Sequence, residues 1–92
     1  MDITNLVQAT AGREQGKYFF VLDTDGEYLL LADGKSRKLE APKRKSRKHV
    51  RFVEAGTGDV AEKIKSKEKI TNSELRKAIA AYSGKVNPNQ EG

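Results

Sequence analysis

The chain has 92 residues, a net charge of +5 and no cysteine. That bounds it to one small domain and excludes disulfide frameworks, thiolate nucleophiles and cysteine-ligated zinc. Its single histidine, His49, excludes histidine-built triads and metal sites, so no catalytic residue, cofactor or metal is expected.

The opening residues Met1-Asp2-Ile3-Thr4-Asn5 are not basic, and no long apolar run follows them. The expectation is a cytoplasmic protein with neither signal peptide nor membrane span. Leu6-Val7-Gln8-Ala9-Thr10 is a short strand, and the glycines at 12 and 16 enclose a loop. Lys17 to Leu22 is rich in aromatic and branched residues and predicts a second strand. Asp25-Gly26 is a tight-turn signal, and Glu27 to Ala32 is its partner strand. Asp33-Gly34 repeats the turn signal, so Ser36 to Leu39 is expected as a further strand, ended by Pro42. His49 to Val53 alternates polar and apolar residues, as a half-buried last strand does.

Gly56-Thr57-Gly58 marks a boundary, after which helical patterns begin. Asp59 is placed to cap a short helix whose third position is Glu62. Thr71-Asn72-Ser73-Glu74 matches a capping box, flanked by Ile70 and Leu75 as a hydrophobic staple. Gly84 is the expected C-terminal stop. The fold class is therefore mainly β with C-terminal helices: a small five-stranded barrel over 1–55, two short helices over 56–84, and a disordered tail over 85–92. Apolar runs at 18–22 and 28–32 require cover on both faces of their hairpin, which a closed barrel with helices beside it supplies.

Charge is concentrated in one place. Lys35, Arg37, Lys38, Lys43, Arg44, Lys45, Arg47, Lys48 and Arg51 lie within seventeen positions, against one acid, Glu40. The segment is +8, and the other 75 residues, with nine basic and twelve acidic side chains, are −3. A polyanion would relieve that self-repulsion, and nucleic acid is the commonest one. Arg13 and Lys17 add positive charge to the glycine loop, and His49 falls inside the basic run. Among the aromatics, the phenylalanines are expected in the core. Tyr18, beside the loop, is the candidate for stacking on an unpaired base. The charged face of the last helix reads as solvated, since Glu62, Glu68 and Glu74 offset its lysines and arginines.

Gly12-Arg13-Glu14-Gln15-Gly16-Lys17, with an apolar strand behind it, resembles a KOW motif. The stretches Leu31 to Lys45 and Glu74 to Ala78 extend the likeness over about residues 3 to 82. The chain is thus similar to small bacterial KOW-domain RNA-binding proteins, themselves similar to KOW-containing large-subunit ribosomal proteins. Tyr18-Phe19 departs from the broader pattern, in which a small residue is common there. The resemblance implies an SH3-like barrel that binds structured RNA, ribosomal RNA above all. It also implies association with ribosomal proteins, and a monomer when free. Arg13, Gln15, Gly16, Lys17 and Tyr18 would form one part of the interface. Lys35, Arg37, Lys38, Lys43, Arg44, Lys45, Arg47, Lys48, His49 and Arg51 would form the other. The alternative is an interaction module whose basic surface docks an acidic protein.

Overall fold

The computed structural model describes residues 1–56 and 58–86, the last four as helix backbone only. Five strands precede two helices: β1 (Leu6–Ala9), β2 (Tyr18–Asp25), β3 (Tyr28–Ala32), β4 (Lys43–Ser46), β5 (Val50–Glu54), α1 (Gly58–Lys65) and α2 (Asn72–Val86). All pairings are antiparallel, in the order β4-β3-β2-β1-β5. Among the described residues no helix is long and apolar enough to cross a membrane.

The expected closure into a barrel is not present. The sheet is open, with β4 and β5 as its edges. A 3-10 turn at Arg47–His49 joins the two edge strands, which are not paired with each other. Irregularities in the β2–β3 pairing between Val21 and Asp23, and in the β1–β5 pairing between Phe52 and Glu54, interrupt the ladder. Bulges of this kind add local twist. Both apolar runs are covered as their composition requires. Alternation along each strand sends Val7, Ala9, Phe19, Val21, Leu29, Leu31 and Val50 into one cluster. Leu6, Phe20 and Ala32 point the other way and pack against Leu75 of α2, with Tyr18, Ile79 and Tyr82 around them.

The β2–β3 hairpin forms where expected, but its turn differs. Asp25 and Tyr28 are paired, so the two central residues are Gly26 and Glu27. Only Gly26 has positive φ, at 59°, which is the sign pattern of a type II′ turn. Asp33-Gly34 makes no hairpin at all. The Asp33 carboxylate accepts hydrogen bonds from the backbone N–H of Lys35 and Arg37 and from the Ser36 hydroxyl. This local capture competes with strand pairing, so Ser36–Leu39 is an irregular loop and not a strand. The fourth strand lies further on, at Lys43–Ser46, within the basic run and just after Pro42. A proline just before a strand costs no ladder bond. Lysine and arginine on an edge also discourage pairing with other chains.

The capping box is present. Glu74 N–H donates to the Thr71 hydroxyl at 3.1 Å, and Thr71 N–H donates to the Glu74 carboxylate at 2.9 Å. Lys63 of α1 reaches the same carboxylate at 3.0 Å, which joins the two helices. Helix α1 begins at Gly58, so Asp59 lies within its first turn and not before it. Helix α2 continues through Gly84 to Val86, so Lys85 and Val86, expected in the tail, are helical. Thr57 and the rest of the expected disordered tail, 87–92, lie outside the described residues.

Candidate nucleic-acid interface

The loop from Thr10 to Lys17 is bound at both ends to β1. Gly16 N–H donates to Ala9 C=O at 2.8 Å, and Ala9 N–H donates to Lys17 C=O at 3.0 Å. Gly16 holds φ at 91°, a left-handed conformation that glycine adopts without a Cβ penalty. From β5, Arg51 Nε donates to Gln8 Oε1 at 2.8 Å, and Gln8 Nε2 donates to Gly16 C=O at 3.1 Å. Thr10 N–H meets His49 C=O at 2.8 Å. The loop therefore sits beside the start of β5.

Glu14 is the loop's anchor on its other side. Its side chain is 9% exposed and contacts Arg37 Nη2 at 2.5 Å and Lys45 Nζ at 3.8 Å. The Arg37 hydrogen bond holds the Glu14 carboxyl below the ordinary carboxylate range, with the charges of Arg37, Lys43 and Lys45 adding to the effect. Lys45 is opposite Leu29 in the β3–β4 register and is itself buried. Its stem covers the edge of the core while its ammonium meets Glu14, as long cationic side chains can. One acid thus links the glycine loop, the 33–42 loop and β4.

These contacts divide the basic residues into two groups. Arg37 and Lys45 share the single carboxylate of Glu14. Arg44 lies 4.0 Å over the Tyr28 ring and 3.4 Å from Asp25. Arg47 Nε and Nη1 donate to the carbonyls of Gly26 and Met1. Arg51 is held by Gln8. Their side chains organise the edge of the sheet. Among the described residues no side-chain partner engages Arg13, Lys17, Lys35, Lys38, Lys43 or Lys48. Lys43 is half-buried and the other five are exposed, as are Gln15 and His49.

The sequence-based site omitted α2, and α2 shapes half of it. Gly34, at φ 77°, passes so close to Asn72 that a Cβ there would lie 2.3 Å from the Asn72 carbonyl oxygen. Asn72 Oδ1 accepts from Leu39 N–H at 2.8 Å, and its amide donates to Glu40, which holds the Glu40 carboxyl below its ordinary range. Arg76 Nη1 donates to Gly34 C=O at 2.7 Å. The basic 33–40 loop is therefore moulded on the helix N-terminus. No spacing rule links residues so far apart in the chain. The only local sign is Gly34 itself, whose Asp33-Gly34 context is equally that of a hairpin turn. Tyr18 is half-buried and packs edge-to-face on Tyr82, with ring centroids 5.4 Å apart.

Comparison with known proteins finds no matching family model and no matching curated protein.

Proposed function

We propose that this chain is a KOW-type RNA-binding protein built on an SH3-like small barrel, acting on structured RNA of the ribosome. The observation that carries the reading is the set of unpartnered cations, Arg13, Lys17, Lys35, Lys38, Lys43 and Lys48, around a loop that Glu14 and Gln8 hold in place. Phosphate recognition needs charge left free for a partner, on a scaffold that limits the ordering cost of binding. The loop keeps its two left-handed glycines, Gly12 and Gly16, between β1 and β2. The antiparallel order β4-β3-β2-β1-β5, with β1 between β2 and β5, is that of a small barrel left open between β4 and β5, and this supports the barrel type. RNA is preferred to DNA on the likeness of the loop and its flanking strands to KOW proteins. The role is binding, without catalysis or cofactor, in the cytoplasm, and the free protein is a monomer.

Titration of labelled ribosomal RNA fragments at several salt concentrations tests the reading. Binding should saturate and weaken by roughly 0.7 log units per decade of salt for each phosphate contact, so six free cations set a limit near a slope of about −4. Lys17→Glu and Lys48→Glu should each weaken binding in a folded protein. No binding at low salt would sink the proposal. One observation favours a protein partner instead: Phe52 is 51% exposed on the edge strand β5. Pull-down after nuclease treatment separates the readings, because protein partners survive it and RNA-bridged ones do not.

A further inference from the structure

A cleft of about 450 Å³ lies where the glycine loop enters β2, between the 33–36 segment and α2. Its apolar lining comes from Tyr18, Ile79 and Ala80, and its cations are Lys17, Lys35 and Arg76. These residues come from three separate parts of the chain and meet only in the fold. We propose that this cleft receives one unpaired nucleotide of a bound RNA, with the base against Tyr18 and Ile79 and a flanking phosphate between Lys17 and Lys35. The proposal rests on the RNA-binding reading and adds a specificity to it, namely preference for a base that is not in a helix.

The cleft has the mixed chemistry that a nucleotide requires. An apolar wall with a few charged groups at the rim is the usual composition of a small-ligand site, and the volume is within the common range of about 300–1,000 Å³. Tyr18 is already restrained by its edge-to-face contact with Tyr82, so little ring freedom is lost on stacking. Arg76 is tied to the Gly34 carbonyl at 2.7 Å, which holds the 33–36 side of the cleft to α2. One acid, Asp33, also lines the cleft. Its oxygens already accept from Lys35 N–H, Arg37 N–H and the Ser36 hydroxyl, and three cations outnumber it. Lys17 and Lys35 belong equally to the exposed basic surface, so the phosphate chain of an RNA lying on that surface passes the mouth of the cleft. An A-form helix keeps its bases stacked inside, and single-stranded loops and bulges can splay them out onto aromatic side chains.

The test compares an RNA hairpin carrying a single-nucleotide bulge with the same hairpin fully paired. The wild-type protein should bind the bulged form roughly five- to tenfold more tightly, the scale of one base stacked on an aromatic ring. Ala80→Trp fills the cleft from an exposed helix position and should remove that preference while leaving affinity for the paired hairpin unchanged. Lys35→Gln should reduce the preference, whereas Lys48→Gln, away from the cleft lining, should lower both affinities by the same factor. If Ala80→Trp fails to fold, the Lys35→Gln and Lys48→Gln pair still decides the matter. Equal affinities for the two hairpins, or a preference that Ala80→Trp leaves intact, would overturn the nucleotide cleft and leave general RNA binding standing. Failure to bind either hairpin at low salt would overturn both.

Discussion

Replacing Glu14 by Gln removes the charge that links the glycine loop to Arg37 and Lys45. Breaking one side of a buried ion pair costs about 3–5 kcal/mol, because the partner charge is left without compensation. Two features of the structure reduce that figure. Arg37 is 34% exposed and can turn its guanidinium to water, and partial exposure screens such pairs. Lys45 is only 9% exposed and has no such escape, but its contact is long, at 3.8 Å. Glutamine also keeps one acceptor for Arg37. A loss of about 2 kcal/mol remains, most of it from stranding the Lys45 ammonium beside the core. Urea denaturation of a domain this size should therefore show a midpoint about 1–2 M lower, with little change in slope. Adding Lys45→Met removes the stranded charge, keeps the apolar stem, and should recover at least half of the loss. If Glu14→Gln unfolds within about 0.5 kcal/mol of wild type, or Lys45→Met brings no recovery, Glu14 is not the anchor described above.

Acid stability should follow the same carboxylate. The folded-state pKa of Glu14 lies below its unfolded value, chiefly through the Arg37 hydrogen bond. Its contribution is therefore present above the ordinary carboxylate range and lost as pH falls through the lowered folded value. Glu14→Gln should flatten the acid limb and converge with wild type at the lowest pH, with part of the slope retained by Glu40 and Glu74, which are also lowered. Parallel curves would contradict this. Gly34→Ala should cost roughly 2–4 kcal/mol, since it adds left-handed strain to a collision with the Asn72 carbonyl. Gly16→Ala, where a Cβ meets open space, should cost only about 1–2 kcal/mol, and equal losses by urea titration would refute the close approach at Gly34. Thr71→Ala should remove about 1 kcal/mol through loss of the capping-box hydroxyl, with reduced helical circular dichroism at elevated temperature.

Much of the fold was legible because its signals are local. The aromatic and branched run of β2, the turn at Gly26 and the box at Thr71–Glu74 each act within a few residues. The fourth strand was not legible. Lys43-Arg44-Lys45-Ser46 has neither strand propensity nor apolar alternation, and it pairs because β3 offers a free edge and Glu14 receives Lys45. Strand preference depends on such neighbours more than on the backbone. Closure into a barrel is expected from five short strands, from apolar runs that need cover on both faces, and from the KOW likeness, and none of these fixes whether the edges meet. Whether the last edges meet depends on how the chain turns at Arg47–His49, and composition does not encode that. Of the interface, the loop and the basic run were visible as residue types. The role of Arg76 was hidden, since its contact with Gly34 spans 42 positions.

By itself the sequence determined that positive charge is gathered into one segment, and that two apolar runs need cover on both faces. Those properties follow from which side chains are present and in what order, and no folding can alter them. The tertiary structure decided which of those charges remain free. Arg37 and Lys45 are absorbed by Glu14, Arg44 by Tyr28 and Asp25, and Arg47 and Arg51 by polar groups of the sheet and the Met1 carbonyl. Such contacts act over a few ångströms in space, between residues distant in the chain, and they fix where each side chain points. A basic run counted along the sequence therefore overstates how many of its side chains are free to turn towards a polyanion.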